Sequence, residues 1–159
     1  MREIKFRGKT RKNEWVYGKL LESNFSSFIV YMVNTFNGKF SSLKYEEVFP
    51  ETVGQYTVEK DKNGKETFAG DVISCNHMGF CRFNAQIKLG EYTQDGSGGE
   101  YQGTQCIGFY AEVIDKDQVD EFGIKIVTDY LETTSLLEFD DFEIIGNVFD
   151  NPELLEVTK

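Results

Sequence analysis

Val53-Gly54-Gln55-Tyr56-Thr57-Val58-Glu59 and Glu66-Thr67-Phe68-Ala69-Gly70-Asp71-Val72-Ile73-Ser74-Cys75 flank the polar stretch Asp61-Lys62-Asn63-Gly64-Lys65. Two β-rich runs joined by an Asn-Gly tip are the strongest short-range signal of a hairpin. Asn and Gly both tolerate the positive φ that a type I′ turn requires, so that turn is expected here. Outward from this hairpin, period-two alternation dominates the chain. Ile4 and Phe6 alternate with Glu3, Lys5 and Arg7 in a first strand, 8–13 reads as a turn, and 15–20 as the return strand. Residues 27–33 and 39–43 bracket a second Asn-Gly pair, Asn37-Gly38, and 80–89, 105–114, 123–128 and 142–149 supply further strands. The stretches 119–123 and 130–137 are ambiguous between helix and strand. Helix signals are confined to Asn151-Pro152-Glu153-Leu154-Leu155-Glu156, an N-cap residue followed by Pro at the first helical position. The expected architecture is all-β: one small barrel- or sandwich-like domain over 1–159, built of short antiparallel strands with a short C-terminal helix.

Length and composition agree with this. A chain of 159 residues with 40% hydrophobic and 14% aromatic residues builds a core without staples, and two prolines exclude a Pro-rich linker. Charge is distributed unevenly. Seventeen Lys and Arg against 27 Asp and Glu give −10, yet residues 1–20 carry +5 and residues 91–159 carry −14. A surface this acidic repels phosphate backbones, so nucleic acid is not the expected partner. The basic residues Arg2, Lys5, Arg7, Lys9, Arg11 and Lys12 instead complement the acidic half, within a chain or between copies.

Met1-Arg2-Glu3 leads straight into alternating charged and apolar residues, where a signal peptide would have an apolar region. The longest apolar run, Phe28-Ile29-Val30-Tyr31-Met32-Val33, is far short of the ~20 residues of a membrane span. Three cysteines without framework spacing complete the expectation of a cytoplasmic protein with no membrane contact.

Chemistry is sparse. Cys75, His77, Cys81 and Cys106 are four soft ligands within 32 residues, and Cys75 and His77 would share a strand face. Their spacing matches no zinc knuckle, and core packing is the simpler explanation of free cysteines. A Cys–His dyad would need a thiol brought to His77 and a third group to orient the ring. No Gly-x-Ser-x-Gly elbow is present. The acids at Asp115, Asp117, Asp120 and Glu121 fail the EF-hand pattern, because Val119 and Asp120 occupy the positions of a ligand and the turn glycine. Gly90 to Gly103 holds five glycines without the Gly-Lys-Ser/Thr ending of a phosphate loop, and reads as a mobile hairpin tip. The expectation is a non-enzymatic protein without catalytic residues, metal or cofactor.

Ordered words at both ends of the chain add to this reading. Arg2-Glu3-Ile4-Lys5-Phe6-Arg7 precedes Trp15-Val16-Tyr17-Gly18, then Thr52-Val53-Gly54-Gln55-Tyr56-Thr57, Asp61-Lys62-Asn63-Gly64-Lys65-Glu66 and Phe68-Ala69-Gly70-Asp71-Val72-Ile73. The last word is Glu143-Ile144-Ile145-Gly146-Asn147-Val148-Phe149-Asp150-Asn151-Pro152-Glu153-Leu154-Leu155. This succession resembles the YopX family of bacteriophage and prophage proteins. The resemblance implies a mostly β-stranded, self-associating protein of phage or prophage origin, and it implies no activity. Two departures stand out: Val58-Glu59 where the family continues with a Gly-Leu-type pair, and Gly8-Lys9-Thr10 where an Ala-Trp-Asp-like stretch is usual. Residues 77–141 carry no family word. Most of the words look structural, and Gln55, Tyr56 and Asp71 are the polar members nominated for a protein-contact surface. The function expected is that of a phage accessory protein acting by contact with itself or with a host or phage protein. The alternative is an acidic nucleic-acid mimic that inhibits a host DNA-binding protein.

Overall fold

A computed structural model describes residues 3–34, 41–79, 81–95, 97 and 100–157. It is mainly β, as expected: β1 (Phe6–Lys9), β2 (Trp15–Glu22), β3 (Ser27–Asn34), β4 (Ser41–Val48), β5 (Gly54–Lys60), β6 (Glu66–Phe68), β7 (Asp71–His77), β8 (Cys81–Gln94), β9 (Thr104–Val113), β10 (Thr133–Ser135) and β11 (Asp141–Asn147). The helical segments are 3₁₀ turns, and the expected C-terminal helix is one of them, Pro152–Leu155. Among the described residues, no helix is long and apolar enough to cross a membrane. The strands form two antiparallel sheets, ordered β4-β3-β2-β1-β5-β6 and β10-β9-β8-β7-β11. The chain divides into two compact units, Met1–Val58 and Glu59–Lys159.

In the first unit β2 is shared. Residues 15–18 pair with β1 and residues 19–22 with β3. The end of β4 returns to the end of β1 through a bridge between Thr10 and Val48, and the Phe49 N–H donates to the Lys9 carbonyl at 2.9 Å. The sheet thus curls into a barrel-like ring, with Ile29 and Val48 buried inside it. β1 runs two residues further than the alternation suggested, because the chain reverses at Thr10–Glu14, whose backbone groups bond at 2.9 Å. The expected Asn37-Gly38 hairpin lies outside the described residues.

In the second unit β8 and β9 form a long ladder from Ala85 opposite Val113 to Gln94 opposite Thr104. Ile73 and Cys75 on β7, Phe83, Ala85 and Ile87 on β8, and Ala111 and Val113 on β9 build one apolar face. The irregular segment after β9 covers that face with Val127, Leu131 and Leu136, so a single sheet with a loop-built lid buries the core.

Four sequence expectations change. The Asn63-Gly64 tip is a hairpin, but only Gly64 has positive φ (79°), so the turn is type I closed by a left-handed glycine instead of type I′. Residues 66–75 are two strands in different sheets, separated by a turn at Ala69-Gly70. Residues 123–128 form no strand: Lys125 makes one bridge to Val119, and Val127 is fully buried while Gly123 and Lys125, which a strand would place on its face, are exposed. Gly90 lies inside β8, which continues to Gln94, so the hairpin tip begins only at Asp95.

Candidate functional site

The candidate metal and thiol residues sit on three adjacent strands of the second unit. His77 on β7 is directly opposite Cys81 on β8, and Cys75, two residues earlier on the same face, is opposite Phe83. Cys106 on β9 is opposite Tyr92. Cys81 and Tyr92 are eleven residues apart on one strand, about 36 Å at ~3.3 Å per residue, so the ladder carries Cys106 far from the other three. Among the described residues, no three His, Cys, Asp or Glu side chains are grouped to hold a metal ion. Burial among core residues pushes the Cys75 thiol well above its usual pKa, and burial raises Cys81 as well. A nucleophilic cysteine needs the opposite shift. The His77 Nδ1 lies 3.3 Å from the Glu138 carbonyl oxygen and the ring meets Phe139 edge-on, so its partners are a backbone acceptor and a core aromatic.

Carboxylates nominated by the acidic run act as turn locks. The Asp115 carboxylate accepts from the Asp117 N–H at 3.1 Å. Asp120 accepts from the N–H groups of Phe122 and Ile124 at 2.9 and 2.8 Å. An open cleft of about 580 Å³ lies nearby, and its charged lining residues are Arg82, Asp115 and Glu156. It brings one arginine and two carboxylates into the same cleft, and its lining residues include no histidine or cysteine.

Two of the three nominated contact residues turn inward. Tyr56 is buried, and its hydroxyl donates to the Val58 carbonyl at 3.1 Å. Asp71 is buried and accepts from the Phe68 N–H at 2.8 Å, which clamps the turn between β6 and β7. Only Gln55 is half-exposed. Both the carboxylate and the phenol are thus engaged with the chain's own backbone.

A surface the sequence reading missed lies on the outer face of β2, β3 and β4. Leu21 is opposite Phe28, Val30 opposite Tyr45, and Met32 opposite Leu43. Opposed residues share a face, and Phe28, Val30 and Met32 alternate along β3, so all six side chains point the same way. Leu21, Met32, Leu43 and Tyr45 are 58–69% exposed. Phe28 and Tyr45 meet edge-to-face with centroids 6.1 Å apart. The signal was the continuous apolar run of β3, which places apolar residues on both faces of its strand.

Residues 5–156 match the family model described as YopX protein. The chain belongs to the YopX family. The match runs through 77–141, where the sequence itself carries no recognisable YopX word. No curated protein matches the chain. Among solved structures, the crystal structure of protein EF1440 from Enterococcus faecalis is similar at 23% identity, with 98% of this chain and 100% of that one covered and a TM-score of 0.49. YopX membership brings no assigned catalytic role, and the geometry above gives no positive sign of enzymatic activity.

The departure from the YopX pattern at Val58 has a structural cost. Val58 lies within β5 at φ 81°, the left-handed region that β-branched residues avoid. Such strain costs ~1–3 kcal/mol, whereas glycine in a strand costs ~0.5–1 kcal/mol through backbone entropy. Val58→Gly is therefore expected to raise the unfolding free energy by about 1 kcal/mol, read as a higher urea midpoint at unchanged slope. A lower midpoint would mean that the valine side chain, one-third exposed, contributes more by packing than its backbone loses.

Proposed function

We propose that this YopX-family chain is a non-enzymatic phage or prophage accessory protein that acts in the bacterial cytoplasm by protein–protein contact and associates with itself. The observation that carries the reading is the exposed apolar face of β2–β4. A patch of large exposed side chains, with the Arg11–Glu47 ion pair at its margin, suits a macromolecular partner better than a small substrate. Charge supports it. The unit Met1–Val58 holds nine Lys and Arg against six Asp and Glu, and Glu59–Lys159 holds eight against 21, so copies carry complementary fields. The free thiols at Cys75, Cys81 and Cys106 suit a reducing compartment. A phage origin rests on the YopX membership.

The acidic second unit favours a second reading, a nucleic-acid mimic that occupies a host DNA-binding protein. Several of its acids are engaged: Glu112 pairs with Lys88, Glu132 with Lys116 and Glu143 with Lys62, while Asp115 and Asp120 lock turns. These engagements reduce the charge available to such a partner.

Solution mass across low and moderate salt, with a pull-down from nuclease-treated host lysate, separates the two. Self-association at micromolar concentration supports the first reading, and a strictly monomeric protein sinks it. A host DNA-binding protein released by modest salt supports the mimic, because exposed charge pairs weaken with screening.

A further inference from the structure

We propose that a second copy of this chain adds to the free edge of β4 in one antiparallel register, with Tyr45 opposite Tyr45 of the other copy. The inference rests on the self-associating reading above and identifies its surface. β4 ends its sheet. It pairs with β3 along its whole length, and on its other side the described residues place only the bridge from Val48 to Thr10. Residues 41–47 therefore present a row of backbone N–H and C=O groups with no strand beyond them, a template for another strand.

The side chains select the partner and the register. Lys44, Tyr45 and Glu46 are all exposed. A two-fold axis normal to the sheet keeps the apolar faces of both copies on one side, and residues of like parity then oppose each other. Centred on Tyr45, the pairing sets Lys44 against Glu46 of the other copy twice and stacks the two tyrosines. Their Phe28 neighbours then extend an aromatic row, flanked by Leu43 and Met32. Centred on Lys44 or on Glu46, the same pairing opposes like charges at its midpoint. Charges on an edge strand ordinarily discourage pairing, and here, within residues 41–47, the Tyr45-centred register alone sets opposite charges against each other. The strand is complementary to itself, which favours a second copy over an unrelated chain. The paired segment is short, closing at Leu43 against Glu47 because Val48 is already bridged, so the contact is below the size of stable interfaces and forms in the micromolar range.

Sedimentation of the full chain and its variants tests this. Lys44→Glu places like charges opposite each other twice and is expected to weaken dimerisation about tenfold or more, as is Glu46→Lys. The Lys44→Glu/Glu46→Lys double variant restores opposite charges and the wild-type constant. Opposed residues in an antiparallel pair have Cα atoms ~4.5–5.5 Å apart, within disulfide reach, so Tyr45→Cys cross-links copies under mild oxidation. Leu43→Cys, about 13 Å from its own counterpart, does not exceed the wild-type background. A wild-type monomer at these concentrations overturns both the inference and the reading beneath it. A wild-type dimer indifferent to the charge variants, with no Tyr45→Cys cross-link, overturns this inference alone.

Discussion

Asp61→Ala is expected to lower the unfolding free energy of the protein by about 3 kcal/mol or more, read by urea denaturation followed by circular dichroism. Asp61 is only 6% exposed. One carboxylate oxygen accepts from the N–H groups of Asn63 and Lys65, each at 2.9 Å, and the other from Ile144 at 3.3 Å. A single side chain thus closes the hairpin between β5 and β6 and fastens it to β11. The Lys62 N–H donates to the Phe142 carbonyl alongside, and Lys62 and Asn63 both reach Glu143. Hydrogen bonds to a charged group contribute ~1.5–3 kcal/mol each, and alanine also strands the donors it leaves behind. Asp61→Asn keeps one acceptor and turns an amide towards a donor, so about half the loss is expected.

The same carboxyl sets an acid limit. Burial alone would raise its pKa, but the N–H donors of Lys65, Ile144 and Asn63 stabilise the charged form further and hold it below the usual carboxylate value. A group whose folded pKa is depressed adds stability that is fully present above its unfolded pKa and is lost as pH falls through the folded one. The wild type should therefore lose stability below about pH 4, and Asp61→Asn should flatten that part of the profile. An unchanged acid limb in Asp61→Asn would assign the loss to other carboxylates.

Local chemistry was legible where one residue type does one job. The Asn63-Gly64 tip, the Trp15 return strand and the Pro152 turn were each readable from the chain, since turn and capping residues act within a few positions. Readings failed where tertiary context decides. Residues 66–75 read as one strand because apolar residues continue through Ala69-Gly70, and only the buried Asp71 carboxylate, clamping the Phe68 N–H, reveals that the chain changes sheets there. Ile124 to Val127 has strand composition, yet it serves as cover for the β7–β9 face, where one buried valine suffices. The cysteine set looked compact in sequence, and the long β8–β9 ladder carries its last member away from the rest. Tyr56 and Asp71 looked like surface polar groups because sequence does not distinguish a carboxylate that meets a partner from one that bonds its own backbone. The apolar face of β2–β4 depends on register across three strands, which periodicity within one strand cannot supply.

Gly18→Ala should be as damaging as the loss of Asp61, by a different mechanism. Gly18 is the residue at which β2 leaves β1 and turns to β3. A Cβ there would lie 2.2 Å from the Val30 carbonyl oxygen and 3.2 Å from Ile29 Cγ2. The oxygen belongs to the backbone of β3, so relief requires moving a strand, and Ile29 is fully buried on that strand. Overpacking a core costs ~1–3 kcal/mol when side chains can adjust, so a clash with backbone is expected to cost about 3 kcal/mol or to leave the first unit unfolded. Gly108→Ala on β9 is the matched control. Its added methyl meets nothing within 4 Å, so its unfolding free energy should stay within ~0.5 kcal/mol of wild type, as for ordinary surface changes. Were both variants equally mild, the close crossing of β3 over Gly18 would not hold in solution. Were both equally harmful, lost strand glycine as such would be the cause. Only a selective loss at Gly18 ties the curl of the first sheet, and with it the outward apolar face of β2–β4, to the absence of one side chain.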